Sequence, residues 1–153
     1  MAERGDRPPA HGTKTTMKTF LAGAACAAIF ATAAIAQASA ALTINLDCAD
    51  GRGQVLIAVF DSKIAYETDK PVRRLAAQPG KPVRLDGLQP GRYAIKSFHD
   101  IDGDGRMGTN PFGIPTEPFA FSNNARGSMG PASWEAAAFD VPAAGATQTL
   151  VLK

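Results

Sequence analysis

Three aspartates stand at alternate positions, Asp100, Asp102 and Asp104, and Gly105 follows them directly. That spacing is the first half of an EF-hand-type loop, D-x-D-x-D-G. Calcium takes about six to eight hard oxygen ligands, and alternate carboxylates on a tightly turned backbone converge on one point. Gly105 falls where the sharp turn is needed, and Arg106 offers its backbone carbonyl at the seventh position. Without a cation, three carboxylates so close repel one another. The second half of the loop departs from the pattern. The ninth position is Gly108, which has no side chain, and the twelfth is Pro111 in place of a bidentate Glu. Thr109, Asn110 or Glu117 can supply oxygens in a different geometry. The expected metal set is therefore Asp100, Asp102, Asp104, Arg106 and Asn110. The competing reading of the same residues is a solvated Asp/Gly turn.

Other chemistry is scarce. The sequence holds two Cys and two His, and Cys26 and His11 fall in a segment expected to be removed. One Cys and one His then remain, too few for a clustered Cys/His zinc site. No Gly-x-Ser-x-Gly elbow supplies a nucleophile, and Cys48 reads as a small apolar core residue. His99, Glu117 and Trp134 are kept as ligand-binding candidates. An alternative is a metal-dependent hydrolase with His99 as base and the acidic loop as metal site. Another alternative is a carbohydrate-binding module in which Trp134 and the loop phenylalanines form a sugar-stacking platform. The bland readings are a hydrogen-bonded structural histidine and a satellite core under a long loop.

The segment that leaves is legible. Lys14 and Lys18 precede an apolar run over residues 20–35, and Ala-Gln-Ala-Ser-Ala-Ala follows. A basic start, an apolar middle and an Ala-x-Ala end describe a secretory signal peptide, and the run is short for a membrane span. Residues 17–40 are taken as that signal. Residues 1–16, ahead of Met17, are taken as an extension from a misplaced start codon. Residues 41–153 are taken as one domain, periplasmic or secreted, with no stable membrane span. Four of the 16 Lys+Arg and two of the 14 Asp+Glu lie in residues 1–40, so the remainder is neutral at twelve of each. A neutral chain without basic clusters excludes nucleic acid and anionic membrane as expected partners.

The elements that must position these residues are short strands. Leu42, Ile44 and Leu46 alternate with polar residues, which predicts a half-buried strand. Residues 54–60 are Val/Ile-rich and read as a central strand covered on both faces. A turn at 50–53 joins the two as a hairpin. Residues 61–79 are more polar, anchored by Tyr66 and Leu75, with a short helical turn at 72–77. Strands follow at 82–85 and 92–98, the second carrying Tyr93, Ile95, Ser97 and His99 on its inward face. Between 100 and 131 Gly and Pro interrupt all periodicity except a short strand at 119–121. Loops this long are functional, organised by something, or disordered, and Phe112, Phe119, Phe121 and Trp134 argue against disorder. Residues 136–141 and 147–152 read as a closing hairpin. The class is all-β, a small antiparallel β-sandwich with one long Gly/Pro-rich loop.

Specific motifs carry a resemblance. Gly87-Leu88-Gln89-Pro90-Gly91-Arg92-Tyr93-Ala94-Ile95 leads to Phe98-His99-Asp100 and the acidic loop. Gly113-Ile114-Pro115-Thr116-Glu117-Pro118, Phe121-Ser122-Asn123-Asn124-Ala125, Gly130-Pro131, Trp134-Glu135 and Ala137-Ala138-Phe139 complete the order. From Leu42 to Lys153 the chain resembles a bacterial secreted family, domain of unknown function 2141. The resemblance implies a β-sandwich of the prealbumin or carboxypeptidase-regulatory type and brings no activity. The family's loop usually ends in a basic residue, an apolar residue and an Asp, and Gly108 stands where that Asp is expected. The expected function is a non-enzymatic binding or structural module with a calcium-organised loop. Its partner is a protein or an envelope glycan.

Overall fold

The computed structural model describes residues 39–153. The signal segment up to residue 38 and the extension at 1–16 lie outside the described residues. Strict alternation sets the inner faces. In β1 (Ala40–Cys48) every second side chain from Ala40 to Leu46 is buried, and in β2 (Gln54–Phe60) Val55, Ile57 and Val59 are. β1 begins at Ala40, one residue ahead of the expected domain start, and the Ala40 side chain is in the core. A short helix α1 (Lys63–Glu67) follows, then β3 (Arg73–Ala77), β4 (Val83–Leu88) and the long β5 (Gly91–Asp100). After the acidic loop come β6 (Phe119–Phe121), a 3-10 turn (Ser122–Asn124), helix α2 (Trp134–Ala137), β7 (Phe139–Val141) and β8 (Ala146–Leu152).

Two sheets face each other, as the all-β reading expects. One has the order β4-β1-β8; the other has β3-β2-β5-β6, with β7 on the start of β5. Pairing is antiparallel except for β1 with β8, which run parallel from Leu42↔Ala146 to Cys48↔Leu152. The core between the sheets is aliphatic, led by Leu42, Ile44, Val55, Ile57, Ile95 and Leu150. Cys48 is a half-buried free thiol packed against it. Phe119 and Lys153 exchange backbone hydrogen bonds of 3.2 and 3.4 Å, which ties the end of β8 to the opposite sheet.

Two expected hairpins and one expected helical turn differ. β1 and β2 do not form a hairpin; they lie in different sheets. Each has one apolar face, and alternation fits strands that face each other across a core as well as strands side by side. Residues 72–77 are not a helical turn. Arg73–Ala77 pairs with β2 from Val59↔Arg73 to Val55↔Ala77, and this edge pairing overrides helix-favouring residues. Residues 136–141 and 147–152 are not a hairpin, because β7 joins β5 and β8 crosses to β1.

A second cluster caps one end of the larger sheet's outer face. Phe60, Ala94 and Phe121 lie under Tyr66 of α1 and Trp134 of α2. The rings of Tyr66 and Trp134 are edge to face at 5.9 Å, and Tyr66 Oη donates to the Ala132 carbonyl at 2.9 Å. Burial pushes the Tyr66 phenol up to about 12. At the start of β5, Tyr93 Oη donates to the Gln89 carbonyl at 2.7 Å, closing the turn as a tyrosine corner does.

Candidate functional site

β5 ends by turning its last residue outward. His99 faces the core and Asp100 the outer face, where it lies beside Gln54 of β2 in register. Asp100 is fully buried. Its Oδ2 accepts from Gln54 Nε2 at 2.9 Å and from the Gly105 N–H at 3.1 Å, and its Oδ1 accepts from the Gly103 N–H at 2.8 Å. The Gln54 amide first, and then these backbone N–H groups, hold the Asp100 carboxyl below the usual carboxylate range, while burial opposes them. Asp102 accepts from the Asp104 N–H and Asp104 from the Arg106 N–H, each two residues on. The segment is thus wound around the Asp100 side chain. Gly53 permits the close approach of the β1–β2 link, because a Cβ there would collide with the Asp100 carbonyl oxygen.

The third carboxylate at the centre comes from Glu117. Asp100, Asp102 and Glu117 each bring an oxygen to a point where all lie within 4.8 Å of one another. Glu117 Oε1 accepts from the Ile101 N–H and Oε2 from the Gly108 N–H, both at 2.9 Å. This contact explains Gly108. A Cβ there would stand 2.9 Å from Thr116 Oγ1 and 3.5 Å from Glu117 Cγ. Glu117 thus reaches over the position where a side chain at 108 would sit. Among the described residues, no basic side chain bridges any of the three carboxylates. Asp104 lies outside the trio. Asn110 is engaged elsewhere, since its Oδ1 accepts from the Phe112 and Ile114 N–H groups at 2.9 and 3.0 Å. Those bonds, with Asn110 N–H to the Ile114 carbonyl, form a tight tip that leaves Phe112 88% and Ile114 59% exposed.

The remaining candidates lie in the interior. His99 is 1% exposed, and its Nε2 is 2.6 Å from the Arg52 carbonyl, so the imidazole is not presented to a substrate. Trp134 packs against Tyr66 inside the cap, so its ring offers no free face for sugar stacking.

One feature was missed in the sequence. The outward residues of β2, Leu56 and Ala58, are half-buried, not covered as the apolar run suggests. They belong to an open trough of about 590 Å³ between the aromatic cap and the acidic loop. Its sequence signal was the outward Leu56 and Phe98, apolar on the face where an antiparallel sheet meets water.

The profile of a bacterial family described as "uncharacterized protein conserved in bacteria", domain of unknown function 2141, matches residues 46–149. No curated protein and no solved structure matches the chain.

Proposed function

The chain belongs to this bacterial family, and from the site's geometry we propose that it is an exported, non-enzymatic β-sandwich binding module. In this reading residues 100–117 fold around a divalent cation and hold out the 110–114 tip toward a protein or glycan of the cell envelope. The observation that carries it is the convergence of Asp100, Asp102 and Glu117, none of them ion-paired to a basic side chain among the described residues. The donor set is all oxygen and formally triply negative, which suits calcium. Glu117 Oε1, Glu117 Oε2 and Asp102 Oδ1 each accept one backbone N–H and keep a lone pair for a ligand bond, whereas Asp100 Oδ2 already accepts two donors, so the ion would be held mainly by the first three oxygens. The Arg106 carbonyl and water would supply further oxygens to a bound ion. Bound calcium supplies charge neutralisation, and the carboxylates supply position. Export rests on the basic, apolar and Ala-rich order of residues 14–41. Among the described residues, no helix is long and apolar enough to cross a membrane.

Thermal unfolding tests the reading. The protein is unfolded in EDTA, then in millimolar calcium and millimolar magnesium. Free cation at about a hundred times its dissociation constant stabilises the fold by about 2.7 kcal/mol. The midpoint then rises by several degrees. The rise is expected with calcium and is lost in Asp102→Asn. An unchanged midpoint with both ions would overturn the cation reading.

A further inference from the structure

The outer face of the larger sheet is organised in cross-strand rows. Next to the acidic end, Ala76, Leu56, Phe98 and Phe119 stand side by side on β3, β2, β5 and β6. The following row holds Arg74, Ala58 and Lys96. Neighbours in such rows are about 4.5–5.5 Å apart, so each row is a continuous strip. These strips floor the trough of about 590 Å³. The aromatic cap closes one end, and Gly105 and Met107 of the acidic loop line the other. No described side chain fills it. Its size is within the range of about 300–1,000 Å³ typical of small-molecule sites, and its lining is mostly apolar with a few convergent charges, as such sites are.

The charges are separated along the trough. At the cap end, Lys96 Nζ and Arg74 share a single carboxylate, Asp69, each at 3.3 Å. Lys96 is fixed further by the Tyr66 carbonyl at 2.7 Å and by the Tyr66 ring, whose centroid is 4.4 Å away. Two cations on one carboxylate leave a net positive end. Beyond the opposite end, which Gly105 and Met107 line, the same loop carries Asp100, Asp102 and Glu117 outside the trough lining. A bound anion is therefore drawn to the cap end and repelled from the loop, with the apolar Leu56–Phe98 strip between.

We infer that this trough binds a small amphipathic monoanion of the long-chain carboxylate class. The carboxylate lies by Arg74 and Lys96, and the hydrocarbon lies along the row of Ala76, Leu56, Phe98 and Phe119. The anion position at Arg74 and Lys96 is separate from the cation position, while Gly105 and Met107 of the acidic loop line the far end of the trough. Lys96 keeps its own partners and adds a further N–H, while Arg74, on an edge strand and exposed, moves to meet the ligand.

Dodecanoate is the probe, titrated in EDTA and again in millimolar calcium, so that failure of the cation reading and failure of this one are distinguishable. Binding is read by calorimetry and by displacement of anilinonaphthalene sulfonate. Dodecanol and dodecylamine serve as neutral and cationic controls. Dodecanoate is expected to bind more tightly than either, by about tenfold. Ala76→Trp, which fills the trough from an exposed edge position, is expected to abolish displacement with the unfolding midpoint unchanged. Arg74→Gln is expected to weaken dodecanoate severalfold and to leave dodecanol unchanged. Equal affinity for the three amphiphiles, or unaltered binding in Ala76→Trp, would overturn the assignment. So would displacement of the dye by dimerisation or by a neutral extended peptide, with none by dodecanoate. Either result would give the trough to a macromolecular contact.

Discussion

Asp100 has the most consequences of any single side chain. Its folded-state acidity is raised by Gln54 and by loop N–H groups, so its pKa lies below the ordinary 3.8. A group with a depressed folded pKa contributes stability above its unfolded value, and loses it as the pH falls through the folded one. Stability is therefore expected to drop below about pH 4. Asp100→Asn should lower stability at pH 7 and flatten that acid limb in urea titrations. Asp50, held to about 2 by Arg52, is an exposed pair, and Asp50→Asn should leave most of the limb in place. Survival of the full limb in Asp100→Asn would contradict the assignment. Gly108→Ala should lower stability by about 1–3 kcal/mol through the contact with Thr116 Oγ1. Much of that loss should return when Thr116→Ala is added, as a double-mutant cycle would show. The spacing of the aspartates announced Asp100 and Asp102. Glu117 was legible only as a carboxylate nearby, because its 17-residue reach from Asp100 is set by the reversal at 110–113, which returns Thr116 to Gly108, and not by spacing.

Among the elements, the segment after β6 does the joining. Ser122 Oγ accepts from the Ile95 N–H at 2.8 Å and donates to the Ala137 carbonyl at 2.5 Å, so one hydroxyl ties β5 to α2. Asn123 and Asn124 both adopt positive φ, 56° and 49°, which asparagine tolerates better than most residues. Asn124 then uses its amide as a strand would, donating to the Thr149 carbonyl and accepting from the Val151 N–H, which covers the free edge of β8. Ser122→Ala strands a fully buried N–H and is expected to lower stability by about 1–3 kcal/mol, measured by chemical denaturation. A change under a few tenths would show that the two bonds are dispensable. Short-range signals were read well here. Residues 54–60 and 119–121 are strands with the expected bounds, and the inward face of Tyr93, Ile95, Ser97 and His99 follows from alternation. Partner choice was not, since β1 with β8 and β7 with β5 are decided by which apolar faces meet across the core. The Ser-Asn-Asn motif was visible as residues and silent as a joint, because its targets lie 15 to 27 positions away.

At the scale of the whole molecule, the first strand is the centre of its sheet and the last strand completes it. Asn45 and Thr149, neighbours across that pairing, are 104 positions apart in sequence. Deleting residues 146–153 removes β8, the Phe119–Lys153 tie and the backbone that Asn124 grips. The shortened chain is expected to lose cooperative unfolding in circular dichroism, and a sharp transition would refute that dependence. The same connection sets a schedule for synthesis. Until residues 146–152 have left the ribosome, β1 has only β4 beside it, and a lone pair of strands is marginal in water. Contacts of such long sequence separation also form slowly. The sandwich therefore cannot shut before β8 has emerged.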